Sequence, residues 1–197
     1  MITERNRVET ERKILEAVGR IVESDGFEKV GVNAVANEAG VSKMLIYRYF
    51  TSIDGLLAAY IKQNDYWLNI SLDLRLEKNN LIPYIVEVYR AQICQLRDNI
   101  VMRRLLRWEL ANSNSLISEI RAKREENGLS LIRYVSNISG KPIKEIAEMA
   151  SLLSASITYL ALLADTYPVY NGLDIAGDKG WSELIEGIEK FIRKYLE

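Results

Sequence analysis

The 197-residue sequence predicts an all-α protein, and three observations predict it. Leu, Ile, Ala, Glu, Lys and Arg dominate while Pro occurs only 3 times, a balance that favours helices. Apolar residues recur at i, i+3, i+4 and i+7 along most of the chain, the period of a helix with one buried stripe. No stretch alternates convincingly between apolar and polar residues, so no sheet is expected.

The elements follow in order. Ile14, Leu15, Ala17, Val18, Ile21 and Val22 share one face of a helix over 10–24, with Thr10 as its cap and Asp25-Gly26 as its stop. Two short helices come next, over 32–39 and 42–49, separated by Gly40-Val41. Val32, Val35, Ala36 and Ala39 form the stripe of the first. Leu45, Ile46 and Tyr49 supply that of the second, and Ser42 is placed to cap it. Two short helices joined by a tight Gly-containing turn make a helix-turn-helix. Helices are then expected over 53–77, 81–97, 100–111, 114–137, 143–166 and 181–196. Pro83 and Pro142 sit where a missing N–H does no harm, and Tyr167 to Gly180 is the longest loop.

Composition narrows the chemistry. The chain is 48% hydrophobic, enough for a substantial core, and 27% charged. The single cysteine, Cys94, allows no intramolecular disulfide, fits a reducing cytoplasmic setting and argues against a thiolate-rich metal site. Met1-Ile2-Thr3-Glu4-Arg5 does not read as the start of a secretory signal. The apolar run 149–164 is broken by serines and shorter than a membrane span, which points to a buried helix. With no histidine, no phosphate-cradling Gly-rich loop and no nucleophile elbow, an enzyme is disfavoured, and neither metal nor cofactor is expected. The net charge of −1 carries no signal of nucleic-acid binding, and residues 1–60 hold 8 Lys/Arg against 9 Asp/Glu.

The specific signal is a joint motif. Gly26-Phe27, Val32, Val35-Ala36, Ala39-Gly40-Val41-Ser42, Tyr47, Tyr49-Phe50, Ser52 and Leu56 stand in register, preceded by Arg12, Ile14-Leu15 and Ala17. This pattern resembles the DNA-binding signature of the TetR family of one-component transcriptional regulators. Physically, Ala36 and Ala39 let the two helices cross closely, Gly40 relieves the turn of a clashing Cβ, Val41 plugs the core and Ser42 caps the second helix. In such a motif the first residues of the second helix reach base edges in the major groove. That geometry selects Ser42, Lys43 and Met44, with Tyr47 and Arg48 one turn on, and Asn33 from the preceding helix. The resemblance implies that Tyr47 donates its hydroxyl to a phosphate and that Lys43 touches DNA. Three positions depart from the family: Gly31 stands where Ser or Thr is usual, Met44 where a small residue is, and Ile53 where Lys is. They point to an altered operator preference.

The resemblance further implies two parts, residues 1–52 for DNA and 53–197 for effector binding and dimerisation. Partners are then a double-stranded operator, a second copy of the chain and an unknown, largely apolar effector. Ile146, Met149, Ala150, Leu153, Ile157, Leu160 and Ala161 line a face of the helix at 143–166. Leu184, Ile185, Ile188, Phe191, Ile192 and Tyr195 line one at 181–196. These two helices are the expected dimer bundle. Trp67, Tyr89, Trp108 and Tyr159 are the candidate effector contacts, since small-molecule sites are mostly apolar. Arg103, Arg104 and Arg107 read as a solvated face or as partners of Glu109. The expected function is a repressor released from a palindromic operator by its effector. The alternatives are a ligand-independent helical DNA-binding regulator and an all-helical enzyme.

Overall fold

A computed structural model describes residues 2–70 and 76–196, with side chains from Asn6 onward. It is all-α apart from one small hairpin. Contacts divide the chain into two compact units: residues up to Asn69 with Ile100–Ala122, and Ile70–Asn99 with Lys123–Glu197.

The first unit begins with α1 (Ile2–Asp25), a 3-10 turn (Phe27–Lys29), α2 (Val32–Ala39), α3 (Lys43–Phe50), α4 (Ile53–Asn64) and the short α5 (Tyr66–Asn69). Helix α1 starts well before residue 10, and Thr10, expected as its cap, lies inside it and donates its hydroxyl to the Asn6 carbonyl at 2.7 Å. The early turns have no apolar stripe. They carry instead i,i+3 and i,i+4 ion pairs, Arg7 to Glu11 at 2.7 Å and Arg12 to Glu9 at 2.7 Å with Glu16 on its other side. Each such pair contributes only a few tenths of a kcal/mol (about 0.2–0.5), yet together with good helix formers they extend the helix without burial. Ile14, Ala17, Val18 and Val22 are fully buried, as the periodicity requires.

The helix expected over 53–77 is interrupted. Asp65 takes an extended conformation, and its buried Oδ1 accepts from the Leu68 N–H at 3.1 Å, which ends α4 and caps α5. Asn64-Asp65 carried that signal, because both residues favour caps over helix interiors. Residues 71–75 of the expected helix lie outside the described residues.

The unit is completed by α7 (Ile100–Ala111), with α6 (Leu81–Asp98) preceding it in the chain, and by the start of α8 (Ser115–Ser139). Trp108 of α7 stacks on Phe27, and the Arg104 guanidinium donates to the Val22 carbonyl at 2.8 Å. Arg121 of α8 donates to the Glu109 carbonyl. Arg104 is therefore a tie to α1 as well as part of a basic face.

The second unit holds α6, the rest of α8, α9 (Ile143–Leu163), the strands β1 (Val169–Tyr170) and β2 (Leu173–Asp174), and α10 (Asp178–Leu196). The antiparallel hairpin corrects the expectation of no sheet: Val169 pairs with Asp174 and Tyr170 with Leu173. Its turn is Asn171-Gly172, both at positive φ (50° and 82°), the residue pair that a two-residue hairpin turn favours. The signal lay in the turn and not in the strands, which are too short to alternate. Trp181, buried, donates its indole N–H to the Ile175 carbonyl at 2.7 Å and so fixes the hairpin to α10.

Helix α9 runs 21 residues and its most apolar window averages a hydropathy of 1.6, long and apolar enough by length and composition to cross a bilayer, although the shorter run 149–164 read as too short. Its stripe Ile146, Met149, Leu153, Ile157, Leu160 and Ala161 is buried within the chain. That stripe, expected at a dimer interface, is intramolecular core. Leu152, Ala155 and Tyr159, on the other side, are exposed. Helix α10 divides likewise: Ile185, Ile188 and Ile192 are buried, whereas Phe191 is exposed and stacks on Tyr195 with centroids 5.8 Å apart.

Candidate nucleic-acid interface

The interface is built on the turn between α2 and α3. Gly31 opens α2 with extended backbone and no side chain to cap it. Gly40 closes α2 in the left-handed conformation (φ 65°, ψ 35°), and the next N–H, of Val41, reaches back to the Ala36 carbonyl at 3.0 Å. The positive φ selects glycine here, because a Cβ in this conformation would crowd the turn's own backbone, as the sequence expects; no more distant atom would meet it.

Ser42 precedes α3 in an extended conformation, but its side chain makes no cap hydrogen bond, contrary to the sequence expectation. Ile46, fully buried, anchors α3 against the unit, with Leu45 and Phe50 half-buried beside it. That anchoring turns Lys43, Met44, Tyr47 and Arg48 outward on one face, at i, i+1, i+4 and i+5. Met44 is 77% exposed and Tyr47 52%. Asn33, in the first turn of α2, is exposed as well.

Among the described residues, Asn33, Ser42, Lys43, Tyr47 and Arg48 show no side-chain hydrogen bond or ion pair, unlike several charged residues of the same unit. Arg20, for example, is held by Glu38 at 2.5 Å, which pins α1 to α2. The Arg7 guanidinium lies 5.6 Å from the centroid of the Tyr49 ring and supports the inner side of α3. Neither support was read from the sequence, since the partners are far apart in the chain. Two cations, three hydrogen-bonding groups and an exposed thioether on one surface can meet phosphate oxygens and base edges.

The four aromatic residues expected at an effector site are dispersed. Trp67, beside Tyr66 in a T-shaped contact, and Trp108, stacked on Phe27, belong to the first unit. Tyr89 and Tyr159 belong to the second: Tyr89 is buried, and Tyr159 is exposed and meets Tyr170 edge-on at 5.9 Å. Burial pushes the Tyr89 hydroxyl up to about 12, against the opposing effect of its hydrogen bond with Ser154.

Residues 14–60 match the family model of bacterial regulatory proteins, tetR family. No curated protein sequence matches the chain. Among solved structures, an HlyIIR mutant protein carrying a linker with two thrombin sites superposes with a TM-score of 0.61 at 19% identity, covering 93% of this chain and 96% of that one. A TetR family protein from Vibrio parahaemolyticus superposes with a TM-score of 0.59 at 16% identity, covering 92% and 97%. At such identities the likeness is one of fold. The match to the bacterial regulatory proteins of the tetR family is thus carried by residues 14–60, the stretch that holds the helix-turn-helix, and the likeness of the whole chain is one of fold.

Proposed function

We propose that the chain is a repressor that holds a palindromic operator as a homodimer and releases it when a small-molecule effector binds. The observation that carries the DNA part is the uncommitted, exposed set Asn33, Ser42, Lys43, Met44, Tyr47 and Arg48 around the start of α3. Lys43, Arg48 and Tyr47 would hold phosphates and fix the register, while Ser42, Met44 and Asn33 would meet base edges. Residues 1–52 would do this work and 53–197 would sense and pair.

The exposed faces of α9 and α10 support pairing. Leu152 and Tyr159 on α9 and Phe191 on α10 remain outside although Ile157 and Ile192 on the same helices are fully buried. A second copy covering them would bring two recognition helices to one face of a duplex, with half-sites about 34–36 Å apart or a multiple of that. The effector would bind better to a conformation in which that spacing is wrong, and so release DNA.

The test is capture of genomic DNA fragments by the purified protein at rising salt, with sedimentation velocity on the same sample. A discrete palindromic site bound by a dimer supports the proposal. Random fragments lost at modest salt, or a monomer at operator-binding concentrations, would overturn it.

A further inference from the structure

Resting on the effector reading above, we infer that the effector is an uncharged, largely apolar molecule carrying a hydrogen-bond donor, and that Gln92 Oε1 is the acceptor that reads it. Gln92 projects from α6 toward α9 inside the second unit and is only 2% exposed. Its Nε2 is satisfied, donating to the Thr158 hydroxyl at 3.2 Å and to the Ser154 carbonyl at 3.4 Å. Its Oε1 is enclosed and has no hydrogen-bond partner. Turning the amide round would set Oε1 against the Ser154 carbonyl oxygen, acceptor facing acceptor, so the orientation that places Nε2 there is the favourable one.

A buried acceptor left without a donor is costly, and such atoms are rare in folded proteins. Glutamine here serves the core poorly, since Met or Leu would fill similar space with no polar atom to satisfy. The immediate neighbours define the ligand. Tyr89, one turn before Gln92 on the same face, holds its hydroxyl against Ser154, so polar groups of α6 and α9 gather at this one spot. On the same two helices Val88, Ile93, Leu153, Ile157 and Ala161 are all buried. From Met149 to Leu163 α9 carries no charged residue, and Glu87 and Arg90 of α6 are exposed and pair with one another at 3.4 Å. Among the described residues of α6 and α9, an ionised ligand would find no counter-charge beside Gln92, whereas an N–H or O–H on an apolar body would find one waiting acceptor.

The enclosure of Oε1 adds a consequence. A donor reaches it only if α6 and α9 part or the Gln92 side chain turns, so binding and a change in the α6–α9 packing are one event. A ligand with that requirement binds one conformation better than the other, which is what release from DNA needs.

Matched probes test this without knowing the natural effector. Indole and 1-methylindole, and phenol and anisole, share an apolar body and differ in the donor. Their affinities are measured by calorimetry on the full-length protein and on Gln92→Met. Each donor-bearing probe should bind the wild type about tenfold more tightly than its methylated partner, and Gln92→Met should bring both ratios close to one. The wild-type ratio needs no variant and so stands even if Gln92→Met folds poorly. Equal affinities within each pair, or a ratio unchanged in Gln92→Met, would overturn the inference while leaving effector control intact. Absence of binding by both donor-bearing probes would overturn it too. Effector control itself fails separately if neither the probes nor a small-molecule cell extract releases the captured operator.

Discussion

Trp108 of α7 lies over Phe27, their ring centroids 5.3 Å apart and their planes inclined by 22°. Phe27 follows the Gly26 that ends α1, so the stack clamps the corner from which the helix-turn-helix departs. With the Arg104 bond to the Val22 carbonyl, it makes α7 part of the compact unit that holds the helix-turn-helix, although some fifty residues separate the motif's end from α7. Trp108→Ala should therefore destabilise the protein by about 2–3 kcal/mol, below the range for a fully buried aromatic because Trp108 is half-buried. Urea unfolding followed by circular dichroism reads this as a lowered midpoint, and Trp108→Phe should recover most of it. An unchanged midpoint in the alanine variant would show that the stack contributes nothing.

Lys43 and Tyr47 should separate on the salt axis. Loss of one phosphate-neutralising cation in Lys43→Ala should lower the slope of log K against log salt by about 0.9. Tyr47→Phe removes a neutral donor, so it should weaken operator binding about tenfold with the slope little changed. Fluorescence anisotropy over a salt series on the captured operator measures both. Identical slopes in wild type and Lys43→Ala would remove Lys43 from the phosphate contacts.

Much of this interface was legible in the sequence because its logic is local. The glycine of the turn, the short α3 and the outward placement of Lys43, Met44, Tyr47 and Arg48 follow from spacing within thirty residues. One local detail was nonetheless misread: Ser42 does not cap α3. What the sequence withheld is tertiary choice. Periodicity marks α9 and α10 as apolar but cannot say which stripe faces the chain's own core, and the stripe read as intermolecular proved internal. Likewise, nothing in the spacing distinguishes Trp108, spent on Phe27, from Tyr89, buried beside Ser154.

Gly31 offers a gain of function. Its backbone is extended (φ −146°, ψ 160°), which any residue adopts, and nothing lies within 4 Å of an added Cβ. Gly31→Ser should place a hydroxyl at the uncapped start of α2, stabilising the protein by a few tenths of a kcal/mol (about 0.3). The same hydroxyl stands beside Asn33, so operator affinity should rise severalfold. A Tm that falls instead would mean that the added side chain cannot reach the free N–H groups of the first turn.

Tyr89 predicts a pH dependence with a definite sign. Its hydroxyl is pushed up to about 12 by burial, from an ordinary value near 10. Below pH 10 the hydroxyl is protonated in both folded and unfolded chains, and the contribution to stability is fully present. Between pH 10 and 12 the unfolded chain loses the proton while the folded chain keeps it, so the unfolded state binds fewer protons and stability falls as pH rises. The loss should be on the order of 2 kcal/mol in this window. Lysines and the other tyrosines titrate over the same range, so the comparison is made with Tyr89→Phe, whose stability should decline less steeply above pH 10. Urea midpoints of the two proteins, taken from pH 8 to 12, decide it. Parallel declines would mean that the Tyr89 hydroxyl is open to water in the folded protein, and that the α6–α9 packing around Gln92 is looser than the burial of both residues implies.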